Sequence, residues 1–305
     1  MQLSPILLFV YNRLWHNQQT IKALQLNELS RESELYIYSD GPKNRKNEHT
    51  VNKVRSYLQN IDGFKAVHMI KRNENWGLAK SIISGVTDIV SQHGKVIVLE
   101  DDLLLSPYFL RFMNDGLDFY KNEERVISLH GYIFPIEGKL PDTFFLRGAD
   151  CWGWGTWKRG WEEFEENGRK LLDKLYQDKL TREFDFDGSY PYSRMLRNQI
   201  KGKNDSWAVR WNASAFVKNK FTLYPGKSLV KNIGLDGSGR HCTKSNSFNG
   251  LICDEPISIR NIPIEEDTLA RSQIINYFKA TQHGFMKRAL KKILNYYKLA
   301  IEISI

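Results

Sequence analysis

The chain has 305 residues, of which 41% are apolar and 26% charged, so it can bury one large α/β core. It contains no apolar run near the ~20 residues that are needed to cross a membrane. Its three cysteines form no CxxC pair, which argues against a structural zinc site or a disulfide framework and fits a reducing cytoplasm. The net charge of +9 indicates an acidic partner, such as nucleic acid, anionic lipid or a phosphorylated substrate.

The first half of the chain alternates strand-like and helical patterns. Its start lacks the basic region and cleavage site of a signal peptide and is predicted to be a first strand. Apolar runs predict strands over residues 5–10, 34–39, 65–71 and 96–99, and a helical period predicts helices over 17–29, 48–60 and 78–93. This β-α-β order predicts a doubly wound, mostly parallel sheet flanked by helices.

The pattern changes near residue 126. Short strands are predicted over 126–129, 143–146, 222–225 and 229–232, residues 162–200 are predicted to be helical, and 236–241 is typical of a polar loop. The sequence contains neither a GxxxxGK[ST] motif nor a dinucleotide-binding fingerprint, which argues against a P-loop NTPase and a dinucleotide enzyme.

The chain is organised around residues 95–109, KVIVLEDDLLLSPYF. The apolar residues 96–99 predict a buried central strand, which ends in Glu100, Asp101 and Asp102. Three acids at this point would be costly to desolvate unpaired, and α/β sheets bind ligands at the carboxyl ends of their strands. Carboxylates are hard oxygen ligands, so the triplet predicts a Mg²⁺ or Mn²⁺ site. The alternative is a strand that runs into a solvated acidic turn.

The order of these segments resembles a known family. It is similar to the order found in nucleotide-sugar glycosyltransferases with the GT-A fold. The matching segments are a first strand, a second strand followed by Asp40, an R-N-x-x-x-G-L segment from Arg72, and the run V-L-E-D-D followed by S-P. The likeness is to the N-acetylglucosaminyltransferase I type and to bacterial polysaccharide (family 2-like) glycosyltransferases, over residues 3–245. It implies a Rossmann-like GT-A domain in which residues 1–125 bind the nucleotide-sugar and residues 126–270 form the acceptor and catalytic half.

The resemblance also implies roles for the acidic triplet. Asp102 would bind the divalent metal that bridges the donor diphosphate, Asp101 would lie near the ribose and the metal's waters, and Glu100 would contact the transferred sugar. This fits elementary chemistry, because a departing nucleoside diphosphate gains negative charge and a bound cation stabilises it.

Four further residues are candidates for binding the nucleotide. Asn12 and Arg13 end the first strand, where the base would lie, and Asp40 stands where the family places an acid that hydrogen-bonds uracil. Arg72 precedes a helix whose N-terminus could attract the phosphates. The alternatives are a turn aspartate before a Gly-Pro pair for Asp40 and an ordinary surface arginine for Arg13.

A tryptophan- and glycine-rich block follows at residues 151–157, CWGWGTW. The alternation of glycines favours a loop over a helix, and aromatic faces stack on sugar rings. The related families carry a comparable loop beside the sugar, so Trp152, Gly153 and Trp154 are predicted to line the sugar site. An aromatic core cluster is the alternative, which Trp157 and Trp161, four residues apart, suit well.

Two residues of the second half complete the predicted site. Asn204-Asp205-Ser206-Trp207 resembles the D-D-W-like stretch that holds the catalytic base, and here only Asp205 can serve. An inverting transfer needs one carboxylate to take the proton of the acceptor hydroxyl. The alternative for Asp205 is a helix N-cap. His241, after the glycine-rich loop, is a candidate metal or diphosphate ligand, or an ordinary loop histidine.

These features predict a metal-dependent, inverting glycosyltransferase that uses a nucleoside diphosphate sugar, with UDP as the expected nucleotide, and builds a bacterial surface glycan. One alternative is a sugar-nucleotide nucleotidyltransferase, which would want a glycine-rich phosphate loop near the N-terminus; Tyr11–Leu14 follows the first strand instead. Another is a binding module, a lectin or a nucleic-acid protein, but the basic residues are concentrated in the tail and no nucleic-acid partner is expected.

That tail, residues 271–305, carries seven Lys/Arg and one acid, a net +6 of the chain's +9. Residues 285–301 place apolar side chains at steps of three and four, with cations largely off that stripe. Such a helix suits an anionic bilayer surface, which predicts a cytoplasmic protein held peripherally on the inner face of the cell membrane near a lipid-linked acceptor. The alternative is a terminal helix docked on the domain.

Overall fold

A computed structural model describes residues 2–238, 248 and 250–281. The strands are β1 (Ile6–Val10), β2 (Glu34–Ser39), β3 (Ala66–Lys71), β4 (Lys95–Glu100), β5 (Leu103–Leu105), β6 (Val126–His130), β7 (Thr143–Arg147), β8 (Trp154–Trp157), β9 (Phe221–Pro225) and β10 (Val230–Asn232). The helices are α1 (Leu14–Gln25), α2 (Arg45–Leu58), α3 (Leu78–His93), α4 (Phe109–Phe119), α5 (Lys158–Trp161), α6 (Gly168–Gln177), α7 (Thr181–Phe184), α8 (Tyr192–Ile200), α9 (Trp207–Val217) and α10, residues 268–281.

Eight strands form one mixed sheet in the order β3-β2-β1-β4-β8-β6-β9-β7, and β5 pairs with β10 in a small second sheet. The first four strands are parallel, as the alternating strand and helix patterns predict. β8 is antiparallel to both β4 and β6, so β6, and β9 beside it, run in the same direction as β4. The carboxyl ends of β1, β2, β3, β4, β6 and β9 therefore lie along one edge, which we call the carboxyl edge.

The sheet is continuous across residue 125, because β4 of the first half pairs with β8 of the second. Leu7, Leu8, Ile97 and Val98 are fully buried, since α1 and α4 cover one face of these strands and α3 covers the other. Both faces of a strand buried in this way must be apolar, and this accounts for the unbroken apolar runs in the sequence.

The tryptophan-glycine block is divided between a loop and a strand. Residues up to Gly153 form the predicted loop, and β8 begins at Trp154. Gly155 lies between Ile97 and Leu129 of the neighbouring strands, and a Cβ there would press on Leu117 of α4. The glycine spacing therefore reflects close packing of α4 on this strand as well as a loop.

Four tryptophans, two of them from α9, pack together in the core. The ring of Trp154 lies 5.5 Å from that of Trp207, 5.7 Å from that of Trp211 and 5.8 Å from that of Trp161. Trp154 is only 1% exposed. Of the two tryptophans predicted to line a sugar site, this one lies in the core.

The last described helix belongs to the folded domain. Ala270, Ile274 and Phe278 of α10 are buried against Phe144 and Tyr224. The predicted boundary between residues 270 and 271 therefore falls inside a packed helix. The amphipathic stretch 285–301 lies outside the described residues. Within the described ranges, no helix is long and apolar enough to span a bilayer.

We predict that Trp154→Ala lowers the free energy of unfolding by about 3–5 kcal/mol, because it removes a fully buried ring from a close-packed cluster. Trp15→Ala is the control: its side chain is 56% exposed, so the change should be small. Urea denaturation measures both. If Trp154→Ala is as stable as Trp15→Ala, the tryptophan cluster does not hold the core as described.

Candidate functional site

An arginine and two aspartates form a charged cluster at the carboxyl edge. Arg13, between β1 and α1, places Nη2 2.5 Å from Oδ1 of Asp101 and 2.7 Å from Oδ2 of Asp102. One guanidinium thus pairs with both carboxylates that follow β4, and all three side chains are mostly buried. Burial lowers the pKa of Arg13, but the charges of Asp101 and Asp102 outweigh it and raise its pKa overall.

The α1 helix fixes this cluster through one face. Asn17, four residues after Arg13, donates from Nδ2 to Oδ2 of Asp101 at 3.1 Å, and Thr20 donates to the Asp101 carbonyl at 3.0 Å. Residues at this spacing share a helix face, so Arg13, Asn17 and Thr20 form one polar surface, which we call the cradle and which holds the two aspartates. Burial raises the pKa of Asp101, and Arg13 opposes that shift.

The segment after β10 covers the second aspartate. Ile233 donates its backbone N–H to the Asp102 carbonyl at 2.8 Å, and a Cβ at Gly234 would collide with the Asp102 carboxylate. His16 of α1 lies 3.2 Å from Asp236 and ties the same segment to the cradle. Glycine at 234 therefore lets the backbone of this segment approach the Asp102 carboxylate closely.

Glu100 differs from the two aspartates that follow it. Burial, then the charges of Asp102 and Asp101, raise its pKa to about 8. A glutamate in that state carries a proton at neutral pH and can donate a hydrogen bond as well as accept one. This suits a contact with a sugar hydroxyl.

The predicted metal ligands are only partly brought together. In the described ranges no group of three or more His, Cys, Asp or Glu side chains has metal-binding geometry, and His241 lies outside those ranges. Both oxygens of Asp101 are already hydrogen-bonded, whereas the described contact of the Asp102 carboxylate uses Oδ2 alone. Mg²⁺ keeps several waters and needs only one or two carboxylates when phosphates supply the rest. The residues fit a metal held by Asp102 and the donor.

Asp40 is engaged by its own neighbourhood. Its carboxylate accepts backbone N–H groups of Gly41, Trp76 and Gly77 and the side-chain amide of Asn75, at 2.8–2.9 Å. With two donors on each oxygen, Asp40 anchors the loop before α3, and its predicted contact with uracil remains a prediction.

Arg72 is buried beside that loop. Its guanidinium lies 3.4 Å from the ring centre of Trp76, and Nε and Nη1 are buried without a hydrogen-bond partner. Burial lowers its pKa. Donors left unpaired in this way are costly unless a ligand meets them. Asn12 stands beside Arg13, half-buried, and its side chain makes no hydrogen bond to any described residue.

One positioning residue carried no signal in the sequence. Arg55, in the last turn of α2, donates Nε to the Ser39 hydroxyl at 3.0 Å and Nη2 to the carbonyls of Asp40 and Arg72 at 3.2 and 2.6 Å. It joins the ends of β2 and β3 and so sets the spacing of the nucleotide candidates. An arginine within a charged helix pattern is indistinguishable from a surface residue until the fold is known.

On the acceptor side, Trp152 is the more exposed of the two tryptophans that were predicted to line the sugar site. It is half-buried, with its ring 4.7 Å from Tyr132 and 5.8 Å from Phe248. Gly153 adopts φ +65°, and its carbonyl accepts the Gly131 N–H at 2.7 Å. The glycine thus turns the chain into β8 and points Trp152 away from the tryptophan core.

Asp205 lies just before α9. Its side chain is 74% exposed and 3.6 Å from Arg210, and Ser206, not Asp205, caps the helix by accepting the Val209 N–H. No described contact joins Asp205 to the Arg13 cluster. Its exposure leaves the carboxylate open to a ligand.

The comparisons with known proteins add little. No protein-family model and no curated protein match the sequence. Among solved structures, S. aureus TarS is similar at 16% identity and a TM-score of 0.32, over 50% of this chain and 25% of that chain. TarS 1-349 gives the same identity and score over 50% of this chain and 42% of that chain. The chain thus spans less than half of either, and such a likeness carries no argument about function.

We predict that Arg13→Met destabilises the protein by roughly 3–5 kcal/mol, because it leaves two buried carboxylates without their cation. Arg111→Met is the matched control, since its pair with Glu28 is exposed and such pairs contribute about 1 kcal/mol or less.

Denaturant unfolding of both variants measures the difference. Added Mg²⁺ should restore part of the stability of Arg13→Met and leave Arg111→Met unchanged, because a second cation can replace the guanidinium. Equal stability of the two variants would show that the cluster is not held by Arg13.

Proposed function

We propose that the protein is a metal-dependent, inverting glycosyltransferase. It moves a hexosyl or N-acetylhexosaminyl group from a nucleoside diphosphate sugar, with UDP as the expected nucleotide, to a glycan or lipid-linked acceptor in bacterial surface polysaccharide synthesis. The observation that carries this proposal is the Arg13–Asp101–Asp102 cluster, fixed at the carboxyl edge, in which the described hydrogen bond to the Asp102 carboxylate uses Oδ2 alone. Ligands of open α/β sheets bind at this edge.

The candidate residues at the carboxyl edge have distinct proposed roles in this reaction. Asp102 would hold Mn²⁺ or Mg²⁺, and Asp101 keeps Arg13 in place beside it. Arg13 and Arg72 present positive charge on two sides of the strand ends, which suits a diphosphate. A bound metal would stabilise the negative charge that grows on the leaving diphosphate. Protonated Glu100 can hydrogen-bond the sugar as it is transferred.

The base for an inverting displacement must lie on the acceptor's side of the sugar. Asp205 is the proposed base, because its carboxylate is exposed and lies just before α9, in the predicted acceptor half of the chain. It would take the proton of the attacking hydroxyl while the diphosphate leaves from the opposite face. Trp152 is the proposed stacking surface for the sugar.

We predict that Asp102→Asn loses metal-dependent turnover in a panel of sugar nucleotides, with a loss of at least about 10²-fold, because a neutral amide is a poor ligand for a hard cation. Asp118→Asn removes an exposed carboxylate that pairs with Lys121 and should turn over at the wild-type rate. Sugar-nucleotide hydrolysis, with and without EDTA, is the measurement. Turnover that survives EDTA would refute a metal mechanism.

We also propose that residues 285–301 bind an anionic membrane surface. Because α10 packs into the core, a truncation that tests this must end after residue 281. The truncated protein should keep its unfolding temperature and no longer sediment with phosphatidylglycerol liposomes at low salt, since each lysine or arginine near the surface contributes about 1 kcal/mol.

A matched pair of variants distinguishes the effect of positive charge in the tail on membrane binding from the effect of the protein's overall net charge. Four tail cations are changed to glutamine in one (Lys287, Arg288, Lys291, Lys292), and four exposed cations of the α2 region in the other (Lys43, Arg45, Lys46, Lys53). Only the tail variant should lose sedimentation. If both retain it, or if the full-length chain never sediments, the membrane proposal fails.

A further inference from the structure

A groove of about 790 Å³ lies at the carboxyl edge, beyond strands of the second half of the chain. Its lining includes the connections that leave β6 and β9 at this edge: Ile133 follows β6 by three residues, and Gly226 follows β9 directly. Residues 250–258 line it as well, and they are held in place where Cys253 donates its N–H to the Ser228 carbonyl at 2.7 Å. A volume of this size is typical of a ligand pocket, and open α/β sheets bind ligands at this edge.

Aromatic contacts connect the groove with the candidate sugar site. The ring of Phe134, in the groove lining, lies 5.5 Å from that of Tyr132 and 6.1 Å from that of Phe248. Those two rings contact Trp152, at 4.7 Å and 5.8 Å. The groove therefore begins beside the aromatic cluster that holds Trp152, the proposed stacking surface for the sugar.

A short strand connects the groove with the acidic edge. Ser228, in the groove lining, precedes β10 by two residues, and Asn232 at the end of β10 lies opposite Leu103, which follows Asp102. The four residues from 228 to 232 span at most about 14 Å. A molecule bound in the groove is therefore within reach of both the sugar site and the acidic edge.

The charged side chains of the groove are at its rim and balance one another. The lining contains three cations and three acids, all of them exposed (Lys139, Lys227, Arg260, Asp142, Asp254, Glu255). Lys227 and Glu255 also pair with each other at 3.0 Å. Because these charges cancel, the rim favours neither an anion, such as a phosphate, nor a cation.

The half-buried side chains of the lining are apolar. They include Phe134, Ile136, Leu140 and Ile257. The buried hydroxyl of Ser228 is already used, since it donates to the Val230 carbonyl at 2.7 Å and accepts the Ile133 N–H at 3.2 Å. Leu251, at the rim, is 94% exposed. An aliphatic chain would bury these surfaces, whereas a sugar would leave hydroxyl groups without partners against them.

The last described helix packs behind the same wall of the groove. The rings of Tyr277 and Phe278, in α10, lie 5.6 Å and 4.8 Å from that of Phe134. The proposed membrane-binding stretch begins at residue 285, and the seven residues from 278 to 285 span at most about 25 Å. A protein held on a bilayer by that stretch therefore keeps this groove close to the lipid.

We propose that the groove binds the hydrocarbon chain of a lipid-linked acceptor and so directs the attached sugar toward Trp152 and Asp102. The apolar lining, the balanced charges of the rim and the short connection to the membrane-binding stretch favour this occupant over a free glycan. The subsite rests on the proposed function and specifies the class of its acceptor.

The test measures how affinity depends on the length of an alkyl chain, using the full-length protein with Mn²⁺ and UDP. Hexyl glucoside and octyl glucoside, both below the concentration at which they form micelles, are titrated by ligand-observed NMR. Methyl maltotrioside is the glycan probe. Octyl glucoside should bind at least about fivefold more tightly than hexyl glucoside, because each buried methylene group raises affinity about fourfold.

Two variants locate the alkyl chain. The backbone of Gly250 is outside the left-handed region, and a Cβ there would lie 3.6 Å from Cβ of Pro135, so Gly250→Phe fills the groove without backbone strain. It should weaken octyl glucoside binding at least about tenfold by steric exclusion. Leu251→Asn removes exposed apolar surface from the rim and should weaken binding about threefold.

Leu26→Asn is the matched control, since Leu26 is 67% exposed and does not line the groove. It should bind octyl glucoside as the wild type does, and all variants should bind UDP equally. Equal affinity for hexyl and octyl glucoside, or groove variants that bind octyl glucoside as tightly as Leu26→Asn, would refute the lipid groove.

Two further outcomes separate the alternatives. Methyl maltotrioside binding that the groove variants weaken as strongly as octyl glucoside binding would assign the groove to a glycan and overturn the proposal. A wild-type protein that binds octyl glucoside in the groove but does not bind UDP would instead contradict the donor site, so failure of the groove and failure of the proposed function are distinct.

Discussion

The structure depends on how the chain accommodates acids at the end of its central strand. β4 is buried on both faces, and two of the three carboxylates that follow it are satisfied by one guanidinium from the end of β1. Removing carboxylates from water is costly unless a cation and further donors accompany them. Arg13 supplies the cation, and Asn17 and Thr20 supply further donors. The connection from β1 into α1 therefore both continues the fold and holds the site in place.

The two acidic positions at this edge illustrate different solutions to that cost. Asp40 is satisfied by four neutral N–H donors and so acts as the anchor of a loop. Asp101 and Asp102 share a single positive charge against two negative ones. The first arrangement is complete in itself. The second keeps a negative imbalance and leaves Oδ1 of Asp102 without a described hydrogen bond, which suits a divalent cation bound with a diphosphate.

Much of the fold could be predicted because its signals are local. The helix over residues 78–93 matches α3, since glycine residues at 77 and 94 bound a clear apolar period. The strands of the parallel half were predicted to within a residue, and for β1 and β4 the signal is the apolar run that burial on both faces leaves. β8 could not be predicted, since one of its four residues is a glycine and its partners lie far away along the chain.

The site was harder to predict because its contacts are long-range. The triplet and Arg13 were marked as candidates, but nothing local shows that Arg13 pairs with acids 88 residues away. Trp152 and Trp154 look alike in sequence, and only the strand start between them leaves Trp154 fully buried and Trp152 half-buried against Tyr132.

The central claim is that the Arg13–Asp101–Asp102 cluster is the centre of a metal-dependent nucleotide site. Calorimetric titration of UDP into the wild-type protein, with Mn²⁺ and then with EDTA, tests it most directly. The account predicts saturable binding of UDP with Mn²⁺ and a large loss of affinity in EDTA. Equal affinity in both conditions, or no binding in either, would contradict it.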